Sequence, residues 1–220
     1  MSRKKLVRFA QNEANPNVVQ AGKPIFEEIK GNWNEKQFQN PNPIVVELAC
    51  GRGEFTVGLG REYPGQNFIG VDIKGSRIWK GSSTATVEGI HNVAFLRTQI
   101  QQLDKFFAEG EISELWITFP DPFPRDGDEK RRLTSPKFLD MYKPMLKKDG
   151  LVHFKTDNTG LFDYTLELVK SREDIEVIAF THDFYQSEMR DDHHGIKTRY
   201  EKMFSDKGEN IKYLKFRFKA

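Results

Sequence analysis

Residues 44–53 read IVVELACGRG, and this stretch decides the fold. An apolar run interrupted only by Glu47 leads directly into a loop that carries Gly51 and Gly53. A short, almost continuous apolar strand is typical of a parallel sheet that helices cover on both faces. In open α/β sheets, ligands bind at the carboxyl ends of the strands, where glycines let backbone amides approach a bound molecule. The stretch therefore predicts a buried strand and the ligand-binding loop that follows it.

Strands and helices alternate after residue 44. One helix begins with Ser135 as its N-cap and Pro136 at its first helical position, and a second is predicted over residues 159–170. Because this alternation is typical of crossover units, it predicts an α/β fold with a doubly wound, mostly parallel sheet and helices on both faces. The further predicted strands are residues 67–72, 115–118 and 151–154.

The first 43 residues differ from the rest. They are polar, rich in Asn and Gln, and interrupted by prolines. We therefore expect residues 1–43 to form an N-terminal polar and basic arm with at most one short helix, ahead of a single domain over residues 44–220. An RNA-contacting arm and a disordered tail both remain open for this segment. Its basic residues are Arg3, Lys4, Lys5 and Arg8.

The bulk composition is that of a folded domain. The chain has 220 residues, of which 37% are hydrophobic and 18 are Phe, so it can bury a substantial core. Its one cysteine, Cys50, cannot form an internal disulfide, and no apolar run approaches the roughly 20 residues of a membrane helix. The N-terminus lacks the apolar segment of a secretory signal, so we expect a cytoplasmic protein.

Acidic residues near the glycine loop indicate the cofactor. A dinucleotide site would place a third small residue three positions after Gly53, but Thr56 stands there. Asp72 ends the next strand about 20 residues after the loop, the distance at which an acid reaches the ribose hydroxyls of an adenosine cofactor. Glu47 and Asp72 together offer acceptors for two ribose hydroxyls, and acids also suit a cationic sulfonium. These features favour S-adenosyl-L-methionine over NAD, although Asp72 could instead cap the following helix.

A proline-rich loop provides the candidate substrate side. Residues 119–124 read FPDPFP, and the three prolines stiffen a loop at the same edge of the sheet. Asp121 is thereby held above the predicted methyl donor. A charged run is usually a solvated surface, but one attached to a rigid loop at the ligand edge favours binding. The basic residues that follow are Arg125, Lys130, Arg131 and Arg132.

These motifs resemble the bacterial tRNA (guanine-N7)-methyltransferases. The glycine loop is shared by many methyltransferases, whereas the Asp-Pro loop followed by Lys-Arg-Arg and a late Thr-x-Tyr-Glu are specific. The resemblance implies a Rossmann-like class I methyltransferase with a seven-stranded sheet. It also implies methyl transfer from S-adenosyl-L-methionine to N7 of a guanine in the tRNA variable loop, which gives 7-methylguanosine. The matching stretches are ELACGRG at 47–53, FPDPFP at 119–124, EKRR at 129–132, HFKTDN at 153–158 and TRYE at 198–201.

The resemblance also implies roles for individual residues. Two positions depart from the family pattern, because Gln99 stands where the family has an acid and Phe123 where it has a tryptophan. The expected cofactor-binding residues are Glu47, Gly51, Gly53, Asp72, Gln99 and Asp121. The expected substrate-binding residues are Arg125, Asp157, Thr198, Arg199, Tyr200 and Glu201. The expected RNA-contacting residues are Gly127, Asp128, Glu129, Lys130, Arg131 and Arg132.

The chemistry needs no dedicated base, because guanine N7 has a lone pair and no proton at neutral pH. We expect Asp121 and Asp157 to be catalytic, each able to accept from the guanine N1–H and exocyclic amine and to stabilise the charge that the purine gains. A non-catalytic module that binds tRNA or the cofactor, and a methyltransferase of small molecules, remain alternatives. The resemblance implies tRNA as the partner, and we expect no membrane and no metal, while both a monomer and a homodimer stay open.

Two further features are interpreted as structural. Cys50 lies within the glycine loop, and we expect a small packed residue and not a nucleophile. Residues 191–194 read DDHH, but adjacent side chains cannot all face one ion, so a surface loop is expected instead of a metal site.

Overall fold

A computed structural model describes residues 3–198, 201–203 and 208–219. Six α-helices and eight strands occur in these ranges, together with a π-helical turn at Trp33–Phe38 and several short 3₁₀ turns. The strands are β1 (Val18–Gln20), β2 (Ile44–Leu48), β3 (Asn67–Val71), β4 (Val93–Arg97), β5 (Ile112–Thr118), β6 (Leu146–Thr156), β7 (Ile175–Thr181) and β8 (Lys212–Phe218). The helices are α1 (Arg3–Ala14), α2 (Pro24–Glu28), α3 (Glu54–Glu62), α4 (Gly75–Val87), α5 (Pro136–Met145) and α6 (Thr159–Ser171).

The strands form one sheet in the order β1-β4-β3-β2-β5-β6-β8-β7. All neighbouring pairs are parallel except the two that involve β8, which runs antiparallel to both β6 and β7. The order reverses at β2, the strand of the opening motif, and ligand sites in open α/β sheets lie where the order reverses. The prediction of a doubly wound, mostly parallel α/β fold is confirmed. The described part of the sheet has eight strands, one more than the resemblance implied.

The additional strand comes from the segment that was expected to be an arm. β1 pairs with β4 at the edge of the sheet, and Val18 and Val19 have no exposed surface. Trp33 is also fully buried, and its indole N–H donates to the carbonyl of Phe106 at 2.8 Å. The segment carries one long helix, α1, and Asn12 on this helix donates to the carbonyl of Gly75 at 2.8 Å. The structure thus departs from the expected arm, because the asparagines that made the segment look polar bond to the domain.

Apolar side chains pack on both faces of the sheet. The helix predicted to begin after Ser135 is α5, which buries one apolar face, and the helix predicted over residues 159–170 is α6. Asn158 caps α6 by accepting from the amide of Leu161 at 2.8 Å. Ser135 stands at the N-cap position of α5, but its buried hydroxyl has no hydrogen-bond partner among the described residues. None of the described helices is long and apolar enough to span a membrane. The buried α5 residues are Phe138, Leu139, Tyr142 and Met145.

Phe95 joins the glycine loop to the two elements beside it. Its ring is fully buried on β4 and occupies space that three glycines leave open. A Cβ at Gly53 or at Gly81 would lie 2.5 Å from this ring, and one at Gly70 would lie 2.9 Å from it. Because these glycines lie in the loop, on α4 and on β3, one aromatic ring sets how closely the loop approaches the sheet.

This packing predicts that Gly81→Ala destabilises the protein. Alanine normally stabilises a helix interior by about 1 kcal/mol relative to glycine. The added methyl would lie 2.5 Å from Phe95 and 2.7 Å from the carbonyl of Arg52, so overpacking should outweigh that gain. We expect a net loss of about 1–2 kcal/mol in the free energy of unfolding, measured by urea denaturation.

The matched control is Gly65→Ala, since a Cβ there would meet no atom within 4 Å. Its stability should stay within about 0.5 kcal/mol of the parent. Equal urea midpoints for Gly81→Ala and the parent would show that the ring has room to move.

Candidate cofactor and substrate site

The loops at the carboxyl edge of the sheet contain unusual backbone conformations. Gly51 and Gly53 have φ of 57° and 69°, in the left-handed region that glycine adopts without strain. Ala49, Phe119 and Phe123 lie in the same region, with φ of 56°, 49° and 42°. Non-glycine residues are uncommon there, and such residues cluster at ligand sites. Three of the six described non-glycine residues with left-handed φ therefore lie in the loops after β2 and β5.

Glu47 is held by threonines on both sides. It is only 4% exposed. One carboxylate oxygen accepts from the backbone amide of Thr56 at 3.0 Å and from the Thr56 hydroxyl, and the other accepts from the Thr118 hydroxyl at 2.7 Å. Burial raises the pKa of Glu47 to about 7, against the opposing effects of these hydrogen bonds and of the Lys155 charge. Both oxygens are engaged by the protein, so Glu47 joins β2 to α3 and β5.

Asp72 follows β3 directly and lies against the glycine loop. It is 6% exposed. Its Oδ2 accepts from the amide of Gly51 at 3.1 Å, and its Oδ1 accepts from the amide of Lys74 at 2.7 Å, just before α4. The carboxylate thus shapes the entry to α4 as well as the loop. A Cβ at Gly51 would meet nothing closer than 3.9 Å, so space beside this residue can accept a ligand.

The remaining candidate residues reach the same edge from neighbouring strands. Gln99 lies shortly after β4 and is exposed, Asp121 lies shortly after β5 and is exposed, and Asp157 directly follows β6. With the glycine loop after β2 and Asp72 after β3, these residues follow five strands that are consecutive in the sheet. Topology therefore brings together residues that are far apart in sequence.

Asp157 differs from Asp121 in its surroundings. It is half-buried, and burial raises the pKa of its carboxyl, opposed in part by the charge of Lys212. The Lys212 ammonium donates to the backbone carbonyl of Asp157 at 2.7 Å, which ties this position to β8. Asp157 therefore has a more rigid setting than the exposed Asp121.

The segment expected to contact RNA is a short 3₁₀ turn, Asp126–Arg131. Arg131 pairs with Asp128 at 3.0 Å, and its guanidinium lies 4.2 Å from the centre of the Phe123 ring. Arg132 is only 9% exposed and donates to the carbonyl of Phe123 at 3.1 Å. Lys130 is exposed, as are Arg125 and Gly127. Of the three expected phosphate contacts, Arg132 is therefore engaged inside the protein, whereas Lys130 and Arg131 are exposed and Arg131 is paired with Asp128 at the surface.

Tyr164 connects this turn to α6. The Arg132 guanidinium lies 4.3 Å from the centre of the Tyr164 ring. The Tyr164 hydroxyl donates to Glu129 at 2.7 Å. Glu129 and Arg132 therefore hold the turn against the helix, a structural role that the linear motif did not reveal.

The Thr-x-x-Glu motif forms a reciprocal helix cap. The amide of Glu201 donates to the Thr198 hydroxyl at 3.2 Å, and the amide of Thr198 donates to the Glu201 carboxylate at 3.4 Å. This pattern is the capping box that starts a helix. Glu201 itself has no exposed surface. The expected substrate contacts Arg199 and Tyr200 lie outside the described residues.

A buried ion pair anchors this cap to the sheet. The ammonium of Lys155 on β6, 1% exposed, lies 2.6 Å from Glu201. The same carboxylate accepts from the Tyr185 hydroxyl at 2.6 Å. Burial lowers the pKa of Lys155, and Glu201 opposes this effect. The HFKTDN motif does not by itself reveal this role of Lys155. The signal that could have revealed it is a lysine within an apolar strand, which indicates a buried partner.

The surroundings of Cys50 and of Asp192, in the DDHH run, show how these two residues are held. Cys50 is 7% exposed, and burial raises the pKa of its thiol well above the ordinary value, which does not favour a nucleophilic thiolate. Asp192 accepts from the Lys215 ammonium and the Tyr213 hydroxyl, each at 2.8 Å, so it belongs to an ion pair. Within the described ranges, no three His, Cys, Asp or Glu side chains converge as a metal ion would require.

A doubly wound sheet with a glycine loop, a strand-end acid and open space at its reversal point defines a class I S-adenosylmethionine-dependent methyltransferase. The family described as "Putative methyltransferase" matches residues 41–214. Proteins named tRNA (guanine-N(7)-)-methyltransferase are similar over almost the whole chain, and the chain belongs to their family. The relative from Cytophaga hutchinsonii is 47% identical, with 99% of each chain covered. That from Bacteroides thetaiotaomicron is 46% identical, with 99% of this chain and 86% of the relative covered.

Solved structures resemble the fold at low sequence identity. The 16S rRNA methyltransferase KamB superposes with a TM-score of 0.64 at 14% identity, covering 89% of this chain and 93% of that one. An rRNA methylase from Streptococcus thermophilus gives a TM-score of 0.55 at 15% identity, with 81% and 88% covered. These likenesses support the fold alone.

The raised pKa of Glu47 predicts a pH-dependent effect of Glu47→Gln on stability. The ordinary pKa is 4.5 and the folded value is about 7, so the folded chain keeps a proton that the unfolded chain loses between these pH values. The resulting contribution to stability is complete below pH 4.5 and is lost as the pH rises through 7. The variant should therefore gain stability relative to the parent between pH 5 and 8, by about 1–3 kcal/mol.

Urea denaturation at several pH values measures this difference. Glu62→Gln, which removes an exposed carboxylate at the end of α3, is the control. Parallel stability curves for the parent and Glu47→Gln would contradict a raised pKa at this position.

The buried ion pair predicts coupling between Lys155 and Glu201. Lys155→Met leaves a buried carboxylate without its cation, and Glu201→Gln leaves a buried ammonium without its anion. Each change should cost about 3–5 kcal/mol in the free energy of unfolding. The double variant should be more stable than the sum of the two losses predicts, by at least about 1 kcal/mol. Urea denaturation of all four proteins gives the coupling energy, and strictly additive losses would rule out a direct pair.

Proposed function

We propose that this protein transfers a methyl group from S-adenosyl-L-methionine to N7 of a guanine in tRNA, which yields 7-methylguanosine. The supporting observation is 47% identity over 99% of the chain to a protein named tRNA (guanine-N(7)-)-methyltransferase. The arrangement of candidate residues at one sheet edge agrees with this activity. Because tRNA is the substrate, we place the protein in the cytoplasm.

The cofactor side is built from the loops after β2, β3 and β4. We propose that Asp72 accepts from a ribose hydroxyl while the amides of Gly51 and Gly53 line the cofactor. Glu47 supports the loop from beneath through Thr56 and Thr118. Gln99 faces the nucleoside from the end of β4 and offers a hydrogen bond in place of a charge. The bound cofactor supplies an electrophilic methyl group on a sulfonium.

The substrate side orients the base and compensates its charge. Guanine N7 needs no deprotonation, so the residues act by positioning and electrostatics. We propose that Asp121 and Asp157 accept from the N1–H and the exocyclic amine, an edge that adenine lacks. Their negative charge stabilises the purine as it becomes cationic. We propose that Arg125 and Thr198 border the base, while Glu201 acts indirectly through its ion pair with Lys155.

One assay separates this function from its alternatives. The protein is incubated with bulk tRNA and S-adenosyl-L-methionine labelled in the methyl group, and the digested RNA is analysed for 7-methylguanosine. Labelled 7-methylguanosine supports the proposal. Binding of tRNA without label would indicate a non-catalytic module, and absence of tRNA binding would favour a small-molecule substrate.

The two proposed catalytic acids give a sharper prediction. Asp121→Asn and Asp157→Asn keep the size of each side chain but remove its charge, so kcat for tRNA methylation should fall by about 100-fold or more. The dissociation constant of S-adenosyl-L-methionine, measured by calorimetry, should change little for Asp157→Asn. Asp126→Asn, an exposed acid near the same loop, is the control. Full methylation by both variants with normal cofactor binding would remove Asp121 and Asp157 from catalysis.

A further inference from the structure

A large groove opens beside the glycine loop and shares Gly53 with the candidate site. It has a volume of about 650 Å³ and lies between α3, α4 and the late residues Ile196, Lys197 and Lys202. Five cations line the groove against two acids, so positive charge predominates. The acids are Glu54 and Glu62, and the cations are Arg52, Arg61, Lys80, Lys197 and Lys202.

Three of these cations, Arg52, Lys80 and Lys202, form no ion pair among the described residues, and the Lys197 ammonium lies 4.2 Å from the centre of the Tyr185 ring. Arg61 is engaged by Glu88, with two hydrogen bonds at 2.6 and 2.8 Å. The others are exposed and come from three different parts of the chain. Arg52 lies in the glycine loop, Lys80 on α4, and Lys197 and Lys202 on the segment that the Thr198–Glu201 cap organises. Cations on two facing walls suit a polyanion that runs along the groove.

The groove is held in place by close packing. A Cβ at Gly58 would lie 2.6 Å from the Ile196 side chain, so the late segment rests directly on α3. The Lys155–Glu201 pair anchors the other end of this segment. Ile196, next to Lys197, and Glu201, next to Lys202, are therefore both held in place by the rest of the protein.

The turn at residues 126–131 provides little positive potential by comparison. It carries three acids, Asp126, Asp128 and Glu129, against Lys130 and Arg131. Arg131 is paired with Asp128, and the neighbouring Arg132 is buried. A protein that binds tRNA needs phosphate contacts, which supply most of the sequence-independent affinity. The groove offers more of them than the turn does.

We propose that the groove between α3, α4 and the residues Ile196, Lys197 and Lys202 binds the sugar-phosphate backbone of tRNA next to the methylated guanine. This inference rests on the proposed function. Arg52 stands between the two loop glycines, so an RNA strand in the groove continues directly into the cofactor edge. Lys80 contacts phosphates from one wall, and Lys197 and Lys202 contact them from the other.

The test compares Lys80→Ala, Lys202→Ala and the double variant with the parent. Binding of tRNA to the cofactor-free protein is measured by fluorescence anisotropy between 50 and 200 mM salt, and methylation is measured separately. Each substitution should weaken tRNA binding and reduce the slope of log Kd against log salt by about 1. The KM for tRNA should rise while kcat and the cofactor dissociation constant stay unchanged.

Lys148→Ala is the matched control, because it removes the same charge from an exposed position near the amino end of β6. Lys130→Ala should have a smaller effect than Lys80→Ala. Unchanged affinity and salt slope in the double variant would overturn the inference, as would an equal loss in Lys148→Ala. A parent that binds tRNA through these lysines but forms no 7-methylguanosine would contradict the proposed function and leave the groove supported.

Discussion

A buried carboxylate lies at the centre of this protein. Glu47 stands in the strand where the sheet order reverses, and it binds the start of α3 through Thr56 and the end of β5 through Thr118. Removing a carboxylate from water is costly unless hydrogen bonds compensate it. Here three donors compensate it, and their positions determine where the glycine loop and the Asp121 loop begin. The geometry of both halves of the site therefore depends on one side chain.

A buried ion pair between Lys155 and Glu201 lies near Glu47. Lys155 extends from β6 toward Glu201, and its charge also acts on Glu47. The rings of Phe55, Phe119 and Phe184 surround the ammonium, with centroids 5.7, 5.8 and 5.1 Å away. In this apolar environment, an unpaired partner would be strongly unfavourable. The pair thus holds the Thr198–Glu201 cap in one position against the sheet.

Charge is distributed unevenly around the site. In the proposed assignment, acids line the cofactor and base positions, where a sulfonium and a methylated purine are cationic. Cations border the adjacent groove, where the proposed RNA backbone is anionic. A net charge of only +2 is compatible with this arrangement, because separation of the two signs matters more than their sum. The acidic pocket and the basic groove meet at the glycine loop.

Much of the fold could be predicted because its signals are local. The apolar runs of β2, β3 and β5 and the Ser135-Pro136 start of α5 each depend on neighbouring residues. Residues 1–43 were harder to interpret, since their asparagines look like solvated polar groups until their partners on α4 are known. The basic run at residues 130–132 was similarly ambiguous, because only packing against Phe123 and Tyr164 distinguishes a buried arginine from an exposed one.

By itself, the sequence determined the α/β class, the glycine loop and the order of the strand-end acids, because strand and loop patterns are encoded within a few residues. Tertiary structure alone decided which charges face each other. Lys155 and Glu201 are 46 positions apart and Glu47 and Thr118 are 71 apart, so no local pattern specifies either contact. The groove also arises only when α3, α4 and the late segment pack together, since its cations belong to three separate parts of the chain.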